Sequence, residues 1–118
     1  MAYTTINKST AHFNTKLYTG TGATGQGQTG VGFQPDMTWI KCRSHAQNHM
    51  LQDAVRGATK QLFPNLENAE TSWTNGLTSF DSDGFTVAGS DEGGASSKTY
   101  AAWNWKANGA GSANTDGS

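Results

Sequence analysis

Cysteine and proline are nearly missing from this chain, which has one Cys and two Pro among 118 residues. A lone thiol, Cys42, excludes a disulfide within the chain. It also excludes a thiolate zinc site, which needs several ligands at defined spacing. Set beside strand-like residues, Cys42 reads as a small filler. Charge is sparse too: 8 basic against 9 acidic residues give a net charge of -1, so no basic footprint for nucleic acid or for an anionic membrane is present. No apolar run approaches the roughly 20 residues that cross a bilayer. Met1-Ala2-Tyr3-Thr4-Thr5 carries neither the basic nor the apolar segment of a signal peptide. The expectation is a soluble protein made in the cytoplasm, with neither nucleic acid nor membrane as partner.

Apolar residues are scarce as well, 34% of the chain against the roughly 45–50% of an ordinary domain, a range that also counts Gly. What is present is large: four Trp, five Phe and three Tyr. Each aromatic side chain removes a big area from water, so a few of them can hold one thin core, and the length fits a single domain.

The pattern is period 2 wherever there is one, in short runs bounded by Gly, Asn and Asp, which predicts strands. Phe13, Thr15 and Leu17 alternate with Asn14, Lys16 and Tyr18 until Gly20. The Gly- and Thr-rich stretch from Thr19 to Gly30 predicts a loop or an edge ribbon. Val31 and Phe33 resume the alternation, Pro35-Asp36 turns the chain, and Met37 to Arg43 is the best strand. Ser44 to Gly57 fits a helical turn or a short strand; a loop followed by a strand is favoured. Lys60 to Phe63 is a further short strand, and Leu66 to Gly76 is a polar connection carrying Trp73. Leu77–Phe80, Asp81-Ser82-Asp83-Gly84 and Phe85–Val87 predict a hairpin, because Asp and Gly supply the backbone conformations of tight turns. Ala88 to Lys98 is expected to be a flexible loop. Thr99 to Lys106 is the last strand, with Ala101, Trp103 and Trp105 on one face. The whole is an all-β antiparallel sandwich or jelly roll over residues 1–107, followed over 108–118 by a Gly/Ser/Asn-rich tail or linker.

Four blocks taken in order carry a resemblance: Gly30-Val31-Gly32-Phe33-Gln34-Pro35-Asp36-Met37-Thr38-Trp39-Ile40-Lys41-Cys42-Arg43-Ser44, Asp53 to Lys60, Leu77 to Val87, and Thr99 to Ala107. Together they resemble a module common in virion proteins of marine tailed bacteriophages, over roughly residues 13 to 107. The resemblance implies a lectin-like sandwich in a tail fibre, appendage or surface decoration, located in the virion. It also implies self-association, as a homotrimer, together with contacts to other virion proteins and to a host surface glycan. Such modules are often followed by a laminin-G or lectin-like repeat, so the 118 residues are either a single-module protein or the N-terminal part of a longer one.

Candidate chemistry is thin. Asp81 and Asp83 open a run like a calcium loop, but the later carboxylate is missing and a β-turn explains them equally well. His45 and His49 could share a metal, with Asp53 beyond them, only on a helix, and no third strong ligand is at hand. Glu67, Glu70, Asp81, Asp83, Asp91 and Glu92 offer nominal glycosidase pairs, all in polar loop-like stretches. No nucleophile elbow or phosphate loop is present. The expectation is therefore a non-enzyme without cofactor or metal. For ligand binding, Trp73, Tyr100, Arg43 and Arg56 are the candidates: an aromatic face suits a sugar ring, and Arg can bind hydroxyls. Arg43, Arg56 and Lys60 also suit a contact to a neighbouring subunit or, the favoured role, a structural salt bridge. Phe33, Trp39, Phe80, Phe85, Trp103 and Trp105 are assigned to the core or to a subunit interface.

Overall fold

A computed structural model describes residues 8–107; the expected tail over 108–118 lies outside the described residues. A 3₁₀ turn at Ser9–Ala11 leads into nine strands: β1 (Phe13–Thr19), β2 (Gln26–Gln28), β3 (Met37–Cys42), β4 (Met50–Asp53), β5 (Lys60–Gln61), β6 (Thr71–Ser72), β7 (Leu77–Asp81), β8 (Gly84–Val87) and β9 (Thr99–Trp105). Every pairing between them is antiparallel, and no α-helix occurs among the described residues. The helical option for Ser44–Gly57 is therefore replaced by bends and then β4. β2 realises the edge-ribbon option for Thr19–Gly30, whereas β6, in the polar connection, went unrecognised.

The strands form a four-stranded sheet in the order β1-β9-β3-β4, a three-stranded sheet β2-β8-β7, and a small β5-β6 ribbon joined to β4 through the Leu51–Leu62 bridge. First pairs with last and second with second-to-last, while the β3–β4 and β7–β8 hairpins each stay within one sheet. At the β1–β9 end the ladder closes at Phe13 opposite Trp105, and the Lys106 amide donates to His12 O at 2.7 Å.

The two larger sheets share one core. Tyr18, Ile40, Cys42, Met50, Tyr100 and Ala102 of the first meet Leu77, Phe85 and Val87 of the second, with Val31 and Phe33 filling the side. Tyr18 stacks on Tyr100 at 5.2 Å and meets Phe85 edge-on at 6.0 Å. Cys42 is buried in this cluster, and Phe80 packs partly buried against it. Burial, then Tyr100 and Cys42 beside it, pushes the Tyr18 hydroxyl well above its ordinary range, so it acts as a neutral donor.

Polar pins attach the loops. Tyr18 Oη donates to Gly93 O at 2.6 Å, while Tyr100 Oη donates to Asp91 O and accepts from Ala95 N, both at 2.9 Å. The Gln26 carboxamide accepts from Thr21 N at 2.8 Å and donates to Ala23 O at 2.9 Å and Gly94 O at 2.8 Å. Residues 88–98, expected as a flexible loop, thus form a loop held down on the core. Two glycines are required by close approach: a Cβ on Gly94 would lie 1.9 Å from Ala88 O, and one on Gly84 1.8 Å from Gln28 O.

Candidate binding site on the outer sheet face

Alternation along a strand sends successive side chains to opposite faces, and here the larger apolar set goes outward. In β1 it is Tyr18 that is buried, while Phe13 and Leu17 are 38% and 56% exposed. In β3 and β9 the inner face takes Thr38, Ile40, Cys42, Tyr100, Ala102 and Asn104. Met37, Trp39, Lys41, Trp103 and Trp105 therefore face away from the core. Of the two places expected for Trp39, Trp103 and Trp105, the core and a subunit interface, the core is not theirs: they are half-buried on the outer face. Phe33 and Phe85 do lie in the core.

Register then assembles the outer residues. Trp39 stands opposite Trp103 and Leu51, and Trp105 opposite Met37 and Phe13. The Trp39 and Trp103 rings meet edge-to-face at 6.3 Å and 76°, and Phe13 meets Trp105 at 5.1 Å and 60°. Steep ring angles leave a notch between the rings. Trp39, His49, Trp103 and Trp105 line a groove of about 290 Å³ with almost wholly apolar walls.

His49 is fixed in this wall by accepting the Trp39 Nε1–H at Nδ1, 3.1 Å away. Partial desolvation, and then the Lys41 ammonium, hold the imidazole below its ordinary value. An accepting Nδ1 places the proton of the neutral ring on Nε2. The His49 amide donates to Asn65 Oδ1 at 3.0 Å, and Asn65 Nδ2 donates to Asn48 Oδ1 at 3.3 Å. These bonds join the groove to a polar hollow of about 430 Å³ lined by Lys41, Ala46, Gln47, Asn48 and Asn65. Trp39 and Lys41, two residues apart on one strand, share a face, so the two hollows lie on the same side of the sheet.

The structure separates the residues that the sequence offered for ligand binding. Tyr100 is fully buried, and both bonds of its hydroxyl go to backbone; it is a core residue and no ligand contact. Arg56 is taken up by ion pairs to Asp53 at 2.6 Å and Glu70 at 2.9 Å, which tie β4 to the β5–β6 ribbon. Burial alone would raise the Asp53 carboxyl, but the Arg56 hydrogen bonds and charge outweigh it and hold it below its usual value. Arg43 is exposed just past β3. Trp73 is 40% exposed, with its amide bonded to Thr59 O beside the ribbon, and it lines neither hollow.

Asp81 and Asp83 do not form a calcium loop. Asp81 accepts from Ser79 Oγ and Thr86 Oγ1 at 2.8 and 2.6 Å, whereas Asp83 accepts from the Gly30 and Gly32 amides at 2.9 and 2.7 Å. Those two amides hold the Asp83 carboxyl below its usual value. His45 bonds to Ser44 and His49 to Trp39, so the supposed His-His-Asp set does not converge. Among the described residues no three of His, Cys, Asp and Glu gather as a metal site would require. Of the acids weighed as catalytic pairs, Glu70 pairs with Arg56, Asp91 with Lys98, and Glu92 accepts from Gln61.

The members of the groove that sequence reasoning missed are His49 as an indole partner and Lys41, Gln47, Asn48 and Asn65 as a polar neighbour. The one available signal was the Gln47-Asn48-His49 run directly ahead of a strand that pairs with Trp39.

Fold and site together define an all-β sandwich of antiparallel sheets, with an apolar groove outside its core rather than between its layers. The chain belongs to the family described as "Domain of unknown function (DUF7483)", whose model matches residues 8–118. No curated protein and no solved structure matches the chain.

Proposed function

We propose that this chain is a structural module of a bacteriophage particle, in a tail fibre, appendage or surface decoration, and that it joins copies of itself and neighbouring virion proteins without performing chemistry. The four ordered sequence blocks supply the virion part of this reading. One observation carries the adhesive part: a chain poor in apolar residues places Phe13, Leu17, Trp39, Trp103 and Trp105 on the outer face of its largest sheet. Exposed apolar area gathered in one place marks a contact surface. β1 is an edge strand of that sheet, and an open edge can pair with another chain. Leu17 is the most exposed apolar residue of β1, and the expected trimeric number of copies comes from the sequence resemblance alone.

Sedimentation equilibrium of the purified chain tests the contact. The wild type is expected to be trimeric and Leu17→Lys monomeric, with unchanged circular dichroism; a wild type that stays monomeric at its solubility limit refutes the self-association. Mass spectrometry of purified particles tests the location, and absence of the chain from them refutes the virion reading.

A further inference from the structure

We infer that the indole groove and the adjoining amide hollow form a single saccharide site for a sugar bearing an anionic substituent, a uronate carboxylate or a sulfate ester. The inference does not rest on the virion reading: Trp39, Trp103 and Trp105 belong to the same outer face, but the sugar titration and the Leu17→Lys sedimentation test fail independently.

Three features select this ligand. First, the groove walls are aromatic and almost free of polar atoms, and a pyranose ring has an apolar C–H face that lies against an indole. Secondly, the hollow beside it is lined by carboxamides. A carboxamide both donates and accepts, as a hydroxyl does, so a row of carboxamides matches the rim of a sugar. Asn65 is engaged with His49 and Asn48, while the Gln47 carboxamide and Asn48 Nδ2 make no hydrogen bond among the described residues. Polar groups placed at one end of an apolar cleft are the usual form of a small-ligand site.

Thirdly, among the described residues the one charged group lining either hollow is the Lys41 ammonium. It donates to Cys42 O at 2.7 Å, which holds it near the floor of the strand and leaves its other protons for a ligand. Among the described residues no carboxylate lines the two hollows, so an incoming anion meets a positive field there. The volumes, about 290 and 430 Å³, suit one or two sugar rings. A cationic or purely hydrophobic ligand would leave either the ammonium or the amides unmatched.

The test is titration of the full chain with an oligogalacturonate and with its carboxyl-reduced neutral counterpart, followed by tryptophan fluorescence and calorimetry. The uronate is expected to shift the fluorescence and to bind about tenfold more tightly than the neutral sugar. Lys41→Met should abolish that preference, and Trp103→Ala should weaken binding about tenfold or more. Gln47→Ala, a surface change that leaves the sheet intact, should weaken binding severalfold with an unaltered melting curve, so a loss of affinity is not confused with a loss of folding. No binding of either sugar overturns the site, and so does binding that Trp103→Ala and Gln47→Ala leave unchanged. Equal affinity for the two sugars overturns the anionic assignment.

Discussion

Two buried glutamines, Gln26 and Gln52, permit a matched test of what holds the glycine-rich part of the chain in place. Gln26 makes three bonds of 2.8–2.9 Å, to Thr21 N, Ala23 O and Gly94 O, and is 6% exposed. In Gln26→Leu, Thr21 and Ala23 lie at the surface and regain water, so their two bonds cost about 1 kcal/mol each. Gly94 is buried, but its carbonyl keeps the bond from the Gly22 amide at 2.9 Å, so the third lost bond also costs about 1 kcal/mol. Leucine returns about 1 kcal/mol by burying apolar surface, leaving a loss of about 2 kcal/mol. With a urea slope of about 1.5 kcal/mol/M, the midpoint falls by about 1.3 M. Gln52 is fully buried, but its Oε1 has no partner and its single side-chain bond, to Gln61, is 3.4 Å long. Gln52→Leu is therefore expected to change stability by less than about 1 kcal/mol in either direction. Urea denaturation followed by tryptophan fluorescence measures both. Equal midpoints for the two variants would refute the reasoning, because burial alone would then set the cost.

Four further outcomes follow from the same geometry. Gly94→Ala drives a Cβ into Ala88 O and is expected to lower the melting temperature more than Gln26→Leu, as read by calorimetry. The His49 ring, held below its ordinary 6.5, accepts the Trp39 bond only when neutral. Its contribution is complete above pH 6.5 and is lost as the pH falls through the lowered folded value, so melting between about pH 7.5 and 5.5 should show a slope that His49→Gln flattens. Asp83, held below 3.8 by the Gly30 and Gly32 amides, contributes above 3.8 and is lost as acid protonates it in the folded state. Asp83→Asn should accordingly raise amide exchange at Gly30 and Gly32 at neutral pH. Arg56→Ala removes both ion pairs of a side chain that is 25% exposed and should cost about 1 kcal/mol, with faster exchange at Lys60 and Ser72 in the ribbon.

The strands themselves were legible because alternation in Phe13–Thr19, Met37–Cys42 and Thr99–Trp105 is a local property. Which face turns inward was not. Hydrophobicity favours Trp39 and Trp103 inside, yet their neighbours Thr38 and Asn104 occupy the core, where Thr38 Oγ1 donates to Asn104 Oδ1 at 2.9 Å and Asn104 Nδ2 donates to Asn14 O at 3.2 Å. A period of 2 has two solutions. Tyr18 and Tyr100, stacked and bonded to the 88–98 loop, help fix this one through contacts distant in sequence. The groove shares that origin, since Trp39 meets Trp103 only through the β3–β9 register. The amides at 47, 48 and 65 resemble any polar loop until the fold brings them beside the indoles. Arg56 was legible in its structural role; Tyr100 was misassigned because nothing local marks it as buried.

The closure of β1 on β9 has a mechanical consequence. Phe13 and Trp105 lie side by side, so the outer ends of β1 and β9 leave from the same end of the ladder. A force that draws those ends apart opens the ladder one pair at a time, beginning at Phe13–Trp105 and travelling towards Thr19–Thr99, instead of shearing all the pairs at once. The same adjacency lets the region be inserted within another chain with little disturbance to its host. Under load, β1 is then the first element to release, and Tyr18, which leaves with it, takes along the hydroxyl that pins Gly93.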